Sequence, residues 1–444
     1  MNRLIQTIRN IFKIEELRNR ILTTLLFIFI YRLGSFVVLP GIDPKRLEAL
    51  AQLGNSGLFG LFNMFAGGAF SRASIFALGI MPYISASIVV QLLGMAIPYF
   101  QKLQKEGESG RRKINQYTRI LTVFITMGQA SGYVVYLKSL GNGAILINPT
   151  LFYLSTVVVL TAGTIFVMWM GERITDKGLG NGISLLIMVG IVARLPFALK
   201  QEFFSRIGDN GGGLVAFLIE IVSILAIIIF VILLVQGTRK IPVQYAKRIV
   251  GNKQYGGVRQ YIPLKVNASG VMPIIFAQAI MFIPATIAQF FPNSNAAQGA
   301  GVFTDHTSPL YNIIFAVLII AFTYFYTALI VNPIQMADDM KRNGGFIPGV
   351  KPGKKTADYI DSIMSRITLP GATFLAFIAI LPAFASAFGV TSDFSRFYGG
   401  TSLLIMVGVI LDTLQQIESH LLMRHYDGLM KSGKIKGRTT APSV

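Results

Sequence analysis

The sequence predicts an all-α polytopic membrane protein with ten transmembrane helices. Apolar runs of about 20 residues, the length that spans a bilayer as a helix, recur along the 444 residues. Of all residues, 53% are hydrophobic and only 14% are charged, and the chain has no cysteine. A soluble protein of this length does not carry that many spanning runs, and the lack of cysteine excludes disulfides and thiolate metal sites.

The apolar runs set the positions of the predicted spans. We place them at residues 21–39, 75–97, 120–137, 151–171, 183–199, 214–235, 270–291, 311–331, 368–388 and 402–423. Before them, residues 1–20 have apolar positions at helical spacing with basic residues between them. This pattern predicts an amphipathic helix on the membrane surface. No small-residue cleavage site follows the first run, so we interpret it as a retained span. The last segment, residues 424–444, is predicted to be a polar tail.

The distribution of positive charge predicts the topology. With the N-terminus in the cytoplasm, 31 of the 40 Lys and Arg residues fall in segments on that side, and few fall in the opposite loops. Lys and Arg are enriched in the cytoplasmic loops of membrane proteins. We therefore expect both termini in the cytoplasm.

Ten spans divide into two predicted halves of five, residues 21–200 and 201–423, with a glycine-rich midpoint near residue 211. One half begins inside and the other outside, so the halves would be related by inversion. The second half carries two long basic loops, 236–269 and 332–367. Such loops suit binding of anionic lipid, acidic protein or RNA. A topology signal without a ligand is the alternative, and it explains their charge but not their length.

Two glycine-containing stretches could be either functional elements or ordinary connections between spans. Residues 57–70 form an apolar segment too short to span, broken by glycines, before the span at 75–97. It fits either a re-entrant cavity filler or an ordinary connection, namely an interfacial turn or a loop packed on the helix bundle, and spacing alone does not decide. Residues 171–184 (GERITDKGLGNGIS) have the glycines of a phosphate loop, but no strand precedes them and no Walker lysine follows. A tight turn between two spans is favoured there.

The sequence offers no catalytic or metal-binding constellation, so we expect neither an enzyme nor a cofactor. The three histidines are in a loop and near the C-terminus, and no nucleophile–base pair or Walker motif is evident. Charged residues within the predicted spans are few, namely Arg32, Arg194, Glu220, Asp412 and Glu418. Gln129 is a further polar residue in a span, where an amide usually bonds a neighbouring helix.

Two other classes of protein remain as alternatives. A secondary transporter with inverted repeats needs ionisable groups at mid-membrane, and only Asp412 is a candidate. A membrane scaffold without a pore would need neither the half-length segment nor the glycine-punctuated helices. A passive pore lined by apolar residues requires no ionisable group, because a hydrophobic constriction resists wetting and ion entry.

Several stretches, in order and with their spacing, resemble the SecY family, the channel subunits of bacterial protein translocases, along nearly the whole chain. They are GSFVVLPGID, FNMFAGGAFSRASIFALGIMPYISASI, QKEGESGRRKINQYTR, GNGIS, VQYAKR, PLKVNASGVMP, FIPGVKPG, TADYIDSIM and GGTSLLI.

The resemblance implies a channel with a central constriction closed by a plug. The plug matches the half-length segment 57–70, with residues Leu58, Phe59, Leu61, Phe62, Met64, Phe65, Gly67 and Gly68. The pore ring carries over to Ile80, Ile84, Ile187, Ile275 and Ile405. All five ring positions are β-branched and apolar, which suits an inert gasket around an extended chain.

The resemblance also implies a lateral gate and a docking surface. The polar gate positions correspond to Gln91, Gln129 and Asn267. The docking residues for the SecA motor ATPase and the ribosome correspond to Lys247, Arg248, Lys253, Arg259, Lys351, Lys354 and Lys355. Where the family usually has arginine in the PG-x-R-PG motif this chain has Lys351, which keeps the charge but loses the planar fork.

The function implied by the resemblance is passage of unfolded secretory polypeptides across the bacterial inner membrane and sideways release of nascent transmembrane segments into the lipid bilayer. The implied partners are the small membrane subunits SecE and SecG, the SecA motor, and the ribosome through rRNA contacts of the basic loops. Energy would come from the motor, the ribosome or the membrane potential, since no nucleotide motif is present.

Overall fold

The computed structural model describes residues 14–43, 63–139, 145–208, 212–245, 248–250, 253–255, 259–278, 280–281 and 308–431. The helices are α1 Glu15–Gly34, α2 Met81–Ala96, α3 Pro98–Lys105, α4 Glu108–Ser139, α5 Pro149–Lys177, α6 Gly182–Ile207, α7 Gly213–Gln236, α8 Pro309–Ile330, α9 Pro333–Arg342, α10 Lys354–Ala387, α11 Ser392–Ser395 and α12 Gly400–Lys431. The strands are β1 Thr238–Tyr245, β2 Arg248–Val250, β3 Lys253–Tyr255, β4 Arg259–Lys265 and β5 Gly345–Phe346. Residues 272–278 and 280–281 are also helical.

The described helices follow the predicted spans. Each predicted span except the seventh overlaps one long helix, and the described start of the seventh, residues 272–281, is helical apart from residue 279, which is not described. Several helices extend well beyond the apolar run, as α10 does by beginning at Lys354 instead of 368. The remainder of the seventh span and most of the predicted N-terminal surface helix (1–13) lie outside the described residues.

Seven helices in the described part of the chain are long and apolar enough to cross a membrane, or eight if α2 and α3 form one span bent by 102°. α1 is not among them, because its twenty residues include Glu15, Glu16, Arg18, Arg20 and Arg32. The fold is therefore that of an all-α multi-pass membrane protein, and its described strands lie in the connections between helices.

The start of the second predicted span is wrong by six residues. Residues 75–80 form turns, and α2 begins only at Met81. Gly79 has a φ of +55°, a left-handed conformation that a right-handed helix does not contain. Pro82 then lies in the first turn of α2, where its missing N–H leaves no helical bond unmade.

The chain forms two compact units, residues 1–194 with 409–444, and residues 195–408. In the first unit, α4 packs against α2 and α5, and α1 packs against α5. Its core joins residues of the connection between α1 and α2, such as Ala66, Ala69 and Phe70, to Val134 of α4 and Leu160 of α5. Residues 66–78 of the connection are therefore part of the core and not a surface loop.

In the second unit, α8 packs against α10. β2 and β3 of the first basic loop form a two-stranded sheet, and the two long basic loops together form a three-stranded sheet. The strand order is β4-β1-β5, with β1 antiparallel to both neighbours. The register pairs Ile241 with Ile262 from the first loop, and Gln244 with Phe346 from the second. We name this the loop subdomain: β1, β4, β5, α9 and the first half of α10.

The loop subdomain has its own apolar core. The core side chains are Ile241, Val243, Leu264, Met340, Ile347, Ile360 and Met364. Strands were not predicted in these loops. Pro242 and Pro263 lie within β1 and β4, and proline cannot donate to a ladder. β5 pairs only with residues 244–245, so the edge of β1 beside Pro242 is not covered by it.

Candidate functional site

The segment between α1 and α2, residues 63–80, is folded tightly inside the first unit. We name it the re-entrant segment after its predicted role. A helical turn at residues 63–65 is followed by turns up to α2. Asn63, 1% exposed, closes the turn, since its backbone oxygen accepts from the Gly68 N–H (2.7 Å) and its Oδ1 accepts from the Ser71 N–H (3.0 Å). Gly67 and Gly68 have φ values of +62° and +84°, which favour glycine.

Two arginines hold this turn from outside. Arg32 of α1 donates from Nη1 to the Gly67 carbonyl (3.3 Å), and Arg72 donates from Nη2 to the same oxygen (3.1 Å). Both guanidinium groups lie over the ring of Phe36, with Cζ 5.3 Å and 4.3 Å from its centroid. The charge of Arg32, noted in the sequence as lying within a span, is thus bound to backbone and aromatic surface.

The turn lies directly against α6. A Cβ added to Gly190 would be 2.4 Å from the Phe65 carbonyl oxygen and 3.2 Å from the Gly67 nitrogen. A Cβ on Gly67 would be 3.0 Å from the Gly190 Cα. Two glycines therefore allow backbone to touch backbone, which no larger residue permits without displacement.

The far side of the turn is fixed to α4 by aromatic side chains. The Tyr133 hydroxyl donates to the Phe70 carbonyl (2.6 Å), and its ring contacts the Phe70 ring edge-on at 4.7 Å between centroids. Tyr136 contacts Phe70 at 5.6 Å. Of the predicted plug residues, Met64, Phe65, Gly67 and Gly68 are buried, while Leu58, Phe59, Leu61 and Phe62 lie outside the described residues.

The predicted ring positions divide between the two units. In the first, Ile80 just before α2 and Ile187 in α6 are buried, at 4% and 5% exposure, and Ile84 is half-buried. In the second, Ile405 in α12 is buried and Ile275 is half-buried. Each is therefore packed at least in part within its own unit.

The glycine-rich turn before α6 is a structural turn, as favoured from the sequence. Its N–H groups bond to protein oxygens: that of Leu179 to Thr24 Oγ1 (3.0 Å), that of Gly180 to Gln416 Oε1 (2.8 Å) and that of Gly182 to Thr175 Oγ1 (2.9 Å). Asn181 Oδ1 accepts from the Ile183 and Ser184 N–H groups at the start of α6. These donors are already satisfied, so they do not form a phosphate cradle. They fix the start of the helix that carries Ile187 and Gly190.

The predicted gate residues are polar groups in or next to the spans. Gln91 in α2 donates from Nε2 to Ser87 Oγ (3.1 Å). Gln129 in α4 has a buried Oε1 with no hydrogen-bond partner among the described residues. Asn267, 7% exposed in the second unit, accepts at Oδ1 from Ser269 Oγ (3.4 Å).

Four of the predicted docking residues lie in or next to the loop subdomain. Arg259, Lys351, Lys354 and Lys355 are exposed. The Lys351 carbonyl accepts from Thr356 Oγ1 (2.9 Å), and Lys351 directly follows the turn closed by the Val350 N–H to Ile347 oxygen bond (3.0 Å). Lys247 lies outside the described residues, and only the backbone is described for Arg248 and Lys253.

The sequence reasoning missed a buried polar cluster in the second unit. Arg206 Nε donates to Glu202 Oε1 (2.9 Å), and Arg206 Nη2 lies 2.5 Å from Glu220 Oε1. Glu202 is fully buried and accepts at Oε2 from the N–H (2.9 Å) and hydroxyl of Thr391. The Tyr398 hydroxyl donates to the Glu220 carbonyl (3.1 Å). The spacing of 189 residues between Glu202 and Thr391 leaves no local signal in the sequence.

Three solved structures have a fold similar to that of this chain. The first is described as "The structure of a protein conducting channel", with a TM-score of 0.62, 17% identity, and 90% of this chain and 92% of that chain covered. Sec61 in a canine ribosome–channel complex has a TM-score of 0.58 at 16% identity, covering 90% and 92%. The yeast Ssh1 complex bound to the 80S ribosome has 0.60 at 14% identity, covering 90% and 89%. The fold is that of a membrane-embedded protein-conducting channel.

Sequence comparison gives the family. A model of the SecY family matches residues 74–414. The chain is 47% identical over 433 residues to the protein translocase subunit SecY of Halalkalibacterium halodurans, covering 96% of this chain and 100% of that protein. It is 44% identical to that of Vibrio cholerae, covering 96% of each. The chain belongs to the SecY family, whose members are translocase subunits and not catalytic enzymes, and the transporter and scaffold alternatives are set aside.

Proposed function

We propose that this chain forms the protein-conducting channel of a Sec translocase, passing unfolded secretory polypeptides across the membrane and releasing transmembrane segments sideways into lipid. The main observation in support of a channel is the packing of the re-entrant segment inside the first unit, against Gly190 of α6. A buried element that is too short to span, just before Ile80, fits a stopper for a narrow pore. We assign residues 57–70 to this plug.

The pore ring in this proposal consists of the five isoleucines. Branched apolar side chains offer no ligand to an ion and make a constriction that excludes water. Ile80, Ile187 and Ile405 are held by packing in their units, which limits their rotamers. The halves 21–200 and 201–423 would act as the two sides of the channel.

The lateral gate in this proposal includes Gln91, Gln129 and Asn267. A few polar contacts at the gate set how hydrophobic a signal must be to enter the lipid. We expect Asn267→Leu to change this threshold, measured as export of reporters with graded signal hydrophobicity. The exposed amide Asn343 at the end of α9 supplies the control, Asn343→Leu. An identical export profile for Asn267→Leu and the parent would contradict the gate role.

The loop subdomain is the proposed docking surface for SecA and the ribosome. Its exposed lysines and arginines attract acidic protein and phosphate, and two solved neighbours are ribosome-bound.

We expect Lys351→Glu to reduce SecA-dependent export about tenfold or more, because placing like charges opposite each other across an interface costs several kcal/mol. The matched control is Lys102→Glu, an exposed lysine of α3 in the other unit. The measurement is export rate in inverted vesicles against SecA concentration. Normal export by Lys351→Glu would remove this residue from the docking surface.

We further propose that SecE and SecG accompany the chain, that it lies in the bacterial inner membrane, and that both termini are cytoplasmic. The excess of Lys and Arg on one side of the membrane supports this orientation. SecE, SecG and SecA are inferred from the family.

Reconstitution tests the proposed function. Vesicles containing this chain, SecE and SecG should import a secretory precursor when SecA and ATP are added, measured as precursor protected from protease. A precursor without its signal is the control. If the complete vesicles give no more protection than vesicles lacking this chain, the proposal is wrong.

A further inference from the structure

Two positive charges converge on a single backbone oxygen in the re-entrant segment. Arg32 and Arg72 both donate to the Gly67 carbonyl, one from α1 and the other from five residues further along the segment. Hydrogen bonds from a charged donor are roughly twice as strong as neutral ones. A backbone carbonyl with two guanidinium donors is therefore held more firmly than an ordinary turn requires.

The surroundings are shaped for these two guanidinium groups. A Cβ on Gly67 would be 2.8 Å from Arg32 Nη1, and a Cβ on Gly68 would be 3.2 Å from Arg72 Nη2. Both groups also face the Phe36 ring, which attracts cations through its π surface. The two glycines and the aromatic ring together admit and stabilise a pair of like charges that would otherwise repel.

The oxygen that these arginines hold belongs to the residue that meets α6. The Gly67 Cα region and the Phe65 carbonyl approach Gly190 closely, and Ala66 between them is 2% exposed. Release of the Gly67 carbonyl would free this contact, whereas Tyr133 would still hold Phe70. The arginines thus act on the part of the segment that contacts α6.

We propose that Arg32 and Arg72 form a latch that holds residues 63–68 against α6 in the closed state, and that releasing the Gly67 carbonyl is a step in opening. Both arginines are positioning residues. The latch explains why Arg32, a charged residue, lies within the first predicted span. The assignment of the closed state rests on the proposed channel function, but the latch itself is a contact that can be tested without it.

Thiol labelling tests the latch directly, because the chain has no cysteine of its own. Ala66→Cys places a single buried thiol in the latched turn of the full translocase in membrane vesicles, probed with a membrane-impermeant maleimide. We expect Arg32→Gln and Arg72→Gln each to raise its labelling rate about tenfold or more, since each removes a charged hydrogen bond from the closed state. Arg32→Lys, which retains the charge, should give an intermediate rate.

Two controls separate a latch from general loosening. Arg173→Gln removes a guanidinium that lies over Trp169 in the same unit, at 5.5 Å from the ring, and should leave Ala66→Cys protected. Ala130→Cys, in the core on α4 and 0% exposed, should remain protected in the Arg32→Gln and Arg72→Gln variants. Unchanged labelling of Ala66→Cys in both glutamine variants, or equal exposure of Ala130→Cys, would overturn the latch.

Resting ion conductance of the same vesicles separates the latch from the channel proposal. Increased labelling with increased conductance supports both. Increased labelling at unchanged conductance supports the latch and contradicts a sealing role for the segment. Unchanged labelling contradicts the latch whatever the conductance.

Discussion

Gly190→Ala is expected to destabilise the first unit by about 1–3 kcal/mol, the usual cost of overpacking a tight contact, and to raise resting ion conductance. The added methyl would lie 2.4 Å from the Phe65 carbonyl oxygen, so residues 63–68 or α6 must move. Free energy of unfolding in detergent and conductance in planar bilayers are the measurements.

Alanine at either of two glycines of α4 is the matched control, and it is expected to raise the free energy of unfolding instead of lowering it. Gly128 and Gly132 lie in α4 with no heavy atom within 4 Å of an added Cβ. Alanine there should stabilise the helix by roughly 0.5–1 kcal/mol, because it restricts the unfolded chain and favours the helix. If Gly190→Ala stabilised the protein as Gly128→Ala does, the close packing of the re-entrant segment on α6 would be wrong.

Arg206→Met is expected to lower the free energy of unfolding by about 3–5 kcal/mol, because it leaves two buried carboxylates without their shared cation. Glu202 is fully buried, and the Glu220 side chain is 9% exposed. The measurement is again the free energy of unfolding in detergent. The cluster joins α6 and α7 to the connection at Thr391, so its loss should loosen that end of the second unit.

An exposed ion pair provides the comparison. Arg119 binds Glu172 through two bonds of 2.9 Å and 2.7 Å, but the Arg119 side chain is 51% exposed. Arg119→Met should therefore cost only about 0–1 kcal/mol. Replacing the whole buried cluster (Glu202→Gln, Arg206→Met, Glu220→Gln) should recover much of the Arg206→Met loss. Equal losses for Arg206→Met and Arg119→Met would contradict a buried, interdependent cluster.

Helix positions were predictable because the length and composition of an apolar run are local properties. The run at 214–235 and α7 at Gly213–Gln236 nearly coincide. Helix ends were less predictable where polar helix continues past the membrane-length run, as in α10. Residues 75–80 are as apolar as the span they precede, but they fold as turns, with Gly79 at a φ of +55°.

The features that define the candidate site depend on contacts between distant residues, which a single sequence does not reveal. Gly190 reads as an ordinary helix glycine until Phe65 and Gly67 are placed beside it. Arg32 reads as a charge near a helix end until the Gly67 carbonyl is found against it. The strands of the loop subdomain contain prolines, which are not typical of strands. The pairing of β1 with β5 joins two loops about a hundred residues apart, so no local pattern predicts it.

The central claim is that an extended polypeptide passes the isoleucine ring, and site-specific cross-linking tests it most directly. A photoreactive residue at Ile84, Ile187, Ile275 or Ile405 should cross-link to a secretory chain stalled during translocation. The same residue at Val215 or Val222, exposed apolar positions of α7, is the control and should cross-link to lipid. Cross-links to the stalled chain from the α7 positions, with none from the isoleucines, would contradict the channel account.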